Sequence, residues 1–114
     1  MAQQTLAADI PGLLEKIDEL RPVLEANGAK GEADRRVLQD SIDALDAIGA
    51  FRVTQPAKYG GFQGRSQDHV DVARAVGRGD GGTGWITALI NMAGWLTALL
   101  PDEAQEDVWG ADPN

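Results

Sequence analysis

The stretch RGDGGTGW, Arg78–Trp85, decides which fold the sequence predicts, because it places four glycines at the start of a long uncharged segment. It could be a phosphate-binding loop, a flexible linker, or a tight junction between two helices. A P-loop needs Lys followed by Ser or Thr after its last glycine. Here Trp85 follows Gly84, so the P-loop pattern fails.

A second glycine pattern, G-x-G-x-x-G at Gly77, Gly79 and Gly82, formally matches the dinucleotide-binding fingerprint. That fingerprint follows a β-strand, whereas the preceding letters DHVDVARAV have helical spacing. The glycines are therefore predicted to end one helix near Gly79 and to let the next begin at once, with Asp80 or Thr83 as its N-cap.

The apolar spacing on both sides of this junction predicts an all-α chain of about five helices. Asp9 is a suitable cap for the first helix. Pro22 is expected to bend that helix or end it near Leu20, and Asn27–Gly28 is a plausible stop. The charged segment 29–37 fits either a loop or a continuation of the helix.

The other helices are delimited by glycine, proline and capping residues. A glycine- and proline-rich loop should separate the second helix from the third. The second helix is predicted over about 38–48, with Gly49 as its stop. The third should be capped by Ser66 and end in the Gly77–Gly79 region. The fourth should run from about Thr83 to Leu99, and a short fifth should start at Pro101.

Composition limits the classes of protein. The 114 residues fit one compact domain, and the net charge of −8 argues against binding to nucleic acid or to an anionic membrane. The absence of cysteine excludes disulfides and thiolate sites and fits a reducing cytoplasm, where we expect the protein. Residues 81–100 carry no charge, but their Gly, Thr and Asn content and acidic flanks indicate a buried helix rather than a membrane span.

The fourth helix is apolar nearly all round, so it needs covering on all sides, either by its neighbours or by protein outside this sequence. Five side chains share one side by their spacing. The spacing favours ordinary core, and the wall of a ligand pocket is the alternative. Thr87 and Asn91 would need hydrogen-bond partners if buried. The five are Trp85, Leu89, Met92, Ala93 and Leu96.

No self-contained catalytic or metal-binding constellation is predicted. His69 is the only histidine and is expected at the surface near a helix N-terminus. The sequence has no G-x-S-x-G nucleophile motif. The catalytic residues are therefore left unassigned, and no metal site is predicted.

An ordered set of short motifs resembles a known family. The set is Pro56, Tyr59-Gly60-Gly61, Arg78-Gly79-Asp80 and Gly84-Trp85. In this order, over about Leu13 to Pro113, it resembles the N-terminal helical domain of acyl-CoA dehydrogenase-fold flavoproteins. Runs similar to ARGDGSTGW are typical of the flavin-dependent monooxygenase branch, which includes oxygenase components of two-component aromatic hydroxylases such as 4-hydroxyphenylacetate hydroxylase.

The resemblance implies a longer protein. Residues 1–114 would be the N-terminal α-helical domain of a larger α+β flavoprotein, followed by a middle β-domain and a C-terminal helical domain. Those later domains would bind most of the flavin, and the assembly would be a homotetramer. The helical domain would supply a wall of the substrate and flavin pocket. Its residues would be Trp85, Leu89, Met92, Ala93 and Tyr59.

The resemblance also implies an oxidoreductase. A separate flavin reductase would supply reduced FMN or FAD, and the enzyme would use O2 to oxygenate a small organic substrate, such as an aromatic compound or natural product. Ala93 stands where the aromatic hydroxylases have a histidine that contacts the phenol, which admits a different or bulkier substrate. The alternatives are an acyl-CoA dehydrogenase that oxidises an acyl thioester with FAD, and a free-standing helical interaction module.

Overall fold

The computed structural model describes residues 5–113 and contains five α-helices. No β-strand occurs within these residues, so the all-α prediction is confirmed. A short 3-10 helix, Ala57–Tyr59, lies in the long loop between the second and third helices. The helices are α1 Ile10–Asp34, α2 Gln39–Ile48, α3 Ser66–Gly79, α4 Gly81–Ala98 and α5 Asp102–Trp109.

Helix α1 extends into the charged segment, as one of the two alternatives for residues 29–37 allowed. Asp9 caps it as expected, accepting a 2.8 Å hydrogen bond from the Gly12 amide. The helix then continues through Pro22 to Asp34, so the predicted ends near Leu20 and at Asn27–Gly28 are wrong. An internal proline costs about 3 kcal/mol. The buried leucine and isoleucine stripe that continues on both sides of Pro22 offsets this cost.

The hydrophobic core lies between α1, α2, α3 and the loop that follows α2. The aliphatic residues of α1 and α2 recur at three- and four-residue spacing, so each helix presents one apolar stripe to the others. Helix α4 contributes no large aliphatic side chain to this cluster. The fully buried large members are Leu13, Ile17, Leu24, Leu45, Ile48, Val53, Val72 and Val76.

The glycines of the opening stretch make a close helix junction. A Cβ atom on Gly84 would lie 2.7 Å from the Cα atom of Gly77, and one on Gly79 would lie 2.7 Å from the Cβ atom of Leu24. Larger residues would force α4 away from α3 and α3 away from α1. The prediction of a tight junction between two helices is confirmed.

Asp80 caps α4, which confirms one of the two predicted caps. Its carboxylate accepts hydrogen bonds from the amide of Thr83 at 2.8 Å and from the Thr83 hydroxyl at 2.6 Å. The same side chain packs against α1, where a Cβ atom on Gly28 would lie 2.5 Å from Asp80 Oδ1. Gly28 therefore remains inside α1 because it leaves room for the cap of α4.

The long loop after α2 turns at Gly49, which has a φ of +94° and ends the helix as predicted. The loop then folds back on itself without forming a strand. The amide of Phe62 donates to the carbonyl of Arg52 at 3.0 Å, and that of Gly64 to the carbonyl of Val53 at 2.7 Å. No helix within residues 5–113 has the length and apolar character needed to cross a membrane.

Candidate functional site

Helix α4 has its polar side inward and its apolar side outward. Thr83, Thr87 and Asn91, spaced four residues apart, form a buried polar stripe, while Trp85 at the opposite side is 66% exposed. Ordinary core is therefore wrong as the role of most apolar residues of this helix. The apolar side chains left exposed on this helix include Trp85, Leu89, Met92 and Leu96.

Asn91 fixes α4 to the loop that follows α2. Its side chain is fully buried, its Oδ1 accepts from the Val53 amide at 3.0 Å, and its Nδ2 donates to the Ala50 carbonyl at 2.8 Å. Its backbone carbonyl accepts from the Thr54 hydroxyl. Buried polar groups need such partners, and here they help to hold the helix in place.

The two buried threonines are satisfied locally. The hydroxyl of Thr87 donates to the carbonyl of Thr83 at 2.9 Å, one turn back along the helix. The Thr83 hydroxyl donates to the capping carboxylate of Asp80. The inward side of α4 is therefore complete without any ligand.

The structure brings four of the five predicted pocket residues together. Trp85, Leu89, Met92 and Ala93 are all exposed and share the outward side of α4. We call this surface, with Leu96, the α4 outer face. No charged residue occurs between Gly81 and Pro101, so the face is uncharged as well as apolar.

Tyr59, the fifth predicted residue, is placed against α5. Its hydroxyl donates to Glu106 at 2.9 Å, and its ring centroid lies 5.5 Å from that of Trp109. Partial burial, followed by the hydrogen bond and the negative charge of Glu106, raises the pKa of Tyr59 above its ordinary value of 10.0. Tyr59 is therefore positioned by α5 rather than by contact with the α4 outer face.

Two clefts border the α4 outer face. One, of about 530 Å³, lies between the end of α1 and the start of α4 and is lined by Trp85 together with Arg35 and Arg36. The other, of about 470 Å³, lies between α2, α4 and α5 and is lined by Ala93 and Trp109. The outer face thus continues into a concave surface at each end.

A smaller pocket on the flank of α4 contains His69, which the sequence analysis placed only at the surface. A ring nitrogen of His69, Nε2, lies 2.9 Å from the carbonyl oxygen of Ala88. The pocket measures about 230 Å³. Sequence reasoning missed it because its residues come from three segments and meet only when α3 packs on α4. It is lined by Thr54, Ser66, His69, Met92, Trp95 and Leu96.

The chemistry available on the outer face is binding rather than bond-breaking. The face has no nucleophile, acid or base of its own, since its side chains are aliphatic, aromatic or thioether. Within the part of the chain that the structure describes, no three His, Asp or Glu side chains cluster as metal ligands would. The arrangement can exclude water and orient a ligand.

Comparison with known proteins identifies the family of this domain. Residues 14–111 match the family model of the acyl-CoA dehydrogenase N-terminal domain. The chain belongs to this family. The resemblance inferred from the glycine and tryptophan motifs is confirmed, and so is the expected fold of the acyl-CoA dehydrogenase N-terminal domain.

Relatives of this acyl-CoA dehydrogenase N-terminal domain include flavin-dependent monooxygenases. The chain is 36% identical to the oxygenase subunit HsaA of Rhodococcus jostii, covering 87% of this chain and 26% of that protein. It is 30% identical to the oxygenase component of p-hydroxyphenylacetate 3-hydroxylase of Acinetobacter baumannii, covering 93% and 26%.

A solved structure agrees with this grouping. The HsaA monooxygenase of Mycobacterium tuberculosis superimposes with a TM-score of 0.87 at 33% identity, covering 92% of this chain and 29% of that one. The chain spans about a quarter of the length of the relatives that it matches. The monooxygenase branch named from the sequence motifs is therefore the branch in which these relatives fall.

Proposed function

We propose that this domain belongs to the oxygenase component of a flavin-dependent monooxygenase, and that the α4 outer face forms one wall of its substrate and flavin site. The observation that carries the proposal is the orientation of α4, which buries its polar side chains and leaves its large apolar side chains exposed. Exposed apolar surfaces of this kind mark binding sites and interfaces. The names of the relatives supply the chemistry.

The outer face is suited to a reaction that must exclude water. Trp85, Leu89 and Met92 offer an aromatic ring, a branched aliphatic group and a flexible thioether on one surface. Such a surface packs against planar apolar molecules. Ala93 adds only a methyl group to the face, which leaves room for the substrate.

The residues present fit part of a flavin. The α4 outer face can cover the flat ring system, but it has no Lys or Arg to hold a phosphate. The phosphate end of FMN or FAD is therefore assigned to other parts of the protein, a middle β-domain and a C-terminal helical domain. When bound, reduced flavin would supply the electrons that activate O2. The role of this domain is to shield and orient.

The proposal includes partners and location. A separate reductase would deliver the reduced flavin, as the word component in the name of the p-hydroxyphenylacetate 3-hydroxylase relative suggests. A homotetramer would bring the domains of neighbouring subunits together. A cytoplasmic location suits a chain without cysteine.

The test is Trp85→Ala in the whole protein, supplied with NADH, a flavin reductase and candidate substrates. We expect substrate turnover to fall more than flavin affinity, because Trp85 contributes to the wall rather than to the phosphate site. Val23→Ala on α1, also an exposed apolar residue, is the matched control and should leave both unchanged. A folded Trp85→Ala protein with normal turnover would show that the wall assignment is wrong.

The family match favours one second candidate, the oxidation of an acyl thioester with FAD. Acyl-CoA should then bleach the bound flavin without O2 or a reductase. Bleaching by acyl-CoA together with absence of oxygenation would replace the proposed function with this one. Absence of both activities would favour the third possibility, an interaction module.

A further inference from the structure

Helix α5 is attached to the rest of the domain mainly through polar contacts. It contributes no residue to the main hydrophobic cluster, and Trp109 is its one buried apolar side chain. No side chain caps its first turn. A short helix with so little buried apolar surface depends on its remaining contacts for its position.

The 3-10 helix in the loop after α2 supplies most of these contacts. Lys58 Nζ lies 3.2 Å from Asp102 Oδ1, and the hydroxyl of Tyr59 donates to Glu106 at 2.9 Å. Asp102, Glu106 and Trp109 are four and three residues apart, so they share one side of α5. On that side the ring centroid of Trp109 lies 5.5 Å from that of Tyr59. We call these five residues the α5 clasp.

The bonds of the α5 clasp are individually weak. Both polar contacts are exposed to solvent, and the side chain of Asp102 is 88% exposed. Exposed ion pairs and hydrogen bonds compete with water, so each contributes little to stability. Because α5 is not part of the main cluster, its release would leave the core intact.

Two polar atoms near α5 favour its release. Among the side chains of residues 5–113, Arg52 Nε and Gln105 Oε1 are buried without a hydrogen-bond partner. Gln105 lies on α5 itself, and Arg52 lines the cleft between α2, α4 and α5. A buried polar atom without a partner is unfavourable, and water that enters as α5 moves away would satisfy it.

The link between α4 and α5 is short and stays attached at one end. Helix α4 ends at Ala98 and α5 begins at Asp102, so only residues 99–101 connect them. The side-chain amide of Gln105 donates to the carbonyls of Ala98 and Leu100 at 3.1 and 2.8 Å. These two bonds lie next to the link, so they hold the start of α5 while its far end is free to turn.

We propose that α5 is a flap over the cleft between α2, α4 and α5, which turns about residues 99–101 and is held shut by the α5 clasp. Val108 and Trp109, at the end far from the link, form part of the wall of this cleft of about 470 Å³, so rotation displaces this wall most. Opening widens the path to Ala93 on the α4 outer face, which lines the same cleft. Tyr59 is a positioning residue of the closed state. The flap does not depend on the reaction proposed above.

Hydrogen exchange of backbone amides, measured by mass spectrometry on the whole protein, tests whether α5 opens on its own. Tyr59→Phe keeps the ring contact with Trp109 but removes the hydroxyl. We expect it to speed exchange in α5 about three- to tenfold and to leave α2 and α3 within about twofold. Glu103→Ala is the matched control, because it removes an exposed carboxylate from the same helix outside the clasp. It should leave exchange in α5 within about twofold.

A second variant isolates the bond between Tyr59 and Glu106. Glu106→Ala should speed exchange in α5 as Tyr59→Phe does, and it serves as the test if Tyr59→Phe does not fold. The double variant should exchange no faster than either single one, because both changes remove the same bond. Unchanged exchange in α5, additive effects of the two changes, or an equal rise in α2 and α3 would overturn the flap.

A thiol on the cleft wall tests whether the movement of α5 controls access to the cleft. Thr97→Cys places a thiol there, and its alkylation by iodoacetamide in the whole protein is followed by mass spectrometry. Addition of Tyr59→Phe should speed this alkylation by the same factor as the exchange in α5. Alkylation after Ala29→Cys, at an exposed position of α1, should not change. An alkylation rate at position 97 that is indifferent to Tyr59→Phe would show that α5 does not gate the cleft.

Discussion

Replacement of Asn91 by leucine should strongly destabilise the protein. Leucine has the same branched shape and the same number of side-chain heavy atoms as asparagine, but its two methyl groups are bulkier and form no hydrogen bond. It would leave the Val53 amide and the Ala50 carbonyl without partners, and both residues are fully buried. Each buried unpaired group costs about 1–3 kcal/mol, so we expect a loss of about 2–6 kcal/mol.

The third hydrogen bond of the Asn91 side chain adds little to that sum. Its acceptor, the Thr87 carbonyl, lies one turn back in α4 and keeps its helical partner when the side chain is lost.

Asn91→Asp is an informative second variant beside Asn91→Leu. A carboxylate can still accept from Val53, but it places a charge against the carbonyl of Ala50. We therefore expect it to be at least as destabilising at pH 7.

The assay is urea unfolding monitored by far-UV circular dichroism. The free energies of unfolding are compared for variants whose slope against urea concentration, the m-value, equals that of the unaltered protein. Thr97→Val is the matched control. Its hydroxyl also donates to a helix carbonyl of α4, that of Ala93 at 2.9 Å, but it is not deeply buried. The control should stay within about 0.5 kcal/mol. A loss below about 1 kcal/mol for Asn91→Leu would refute the view that hydrogen bonds hold this helix.

Three other predictions concern the junction, the α2 end and the tyrosine. Gly84→Ala should cost about 1–3 kcal/mol in thermal or urea unfolding, because its methyl group would meet the backbone of Gly77 at 2.7 Å. Gly49→Ala should lower the free energy of unfolding by at least about 1 kcal/mol, because Gly49 has a φ of +94°, a conformation that alanine adopts only with strain. An unchanged melting temperature would contradict this prediction. The absorbance of Tyr59, the only tyrosine, should titrate above pH 10.0, and Glu106→Gln should move the midpoint back toward 10.0. Because the pKa of Tyr59 is raised in the folded state, the stability that Tyr59 contributes is present below pH 10.0 and is lost as the pH rises through the folded-state pKa. Identical titration curves for the unaltered protein and Glu106→Gln would show that Glu106 does not act on Tyr59.

The sequence was sufficient for the helices whose ends carry local signals. Gly49 and Asp80 act through their own backbone or side chain within one turn, so residue type alone locates them. The end of α1 could not be found in this way. Gly28 has the residue type of a helix stop, but glycine is needed there for another reason: a Cβ atom would meet Asp80, which lies far along the chain.

The orientation of α4 was equally hidden. Trp85 and Leu89 recur with the spacing of core residues, and no count of apolar positions shows that Asn91 has two buried partners in a distant loop. Tertiary hydrogen bonds decided which side of the helix faces inward. The family motifs identified the family, which periodicity could not do. The role that they imply for Trp85 stays a prediction.

The surroundings of His69 also could not be predicted from the sequence. As a lone histidine it gave no signal, since its neighbours in sequence, Asp68 and Asp71, point elsewhere on α3. Its chemical context comes from the Ala88 carbonyl and from Met92 and Trp95, which only packing brings close.

In helix α4, the residues that hold the fold together and the residues that face outward lie on different sides. Its inward residues, among them Thr87 and Asn91, are committed to hydrogen bonds and admit few substitutions. Its outward residues, among them Leu89 and Ala93, contribute little to the core of this domain. If these residues line the substrate site as proposed, variation at the outward positions will alter the preferred ligand at small cost in stability, and libraries intended to change substrate preference are best confined to them.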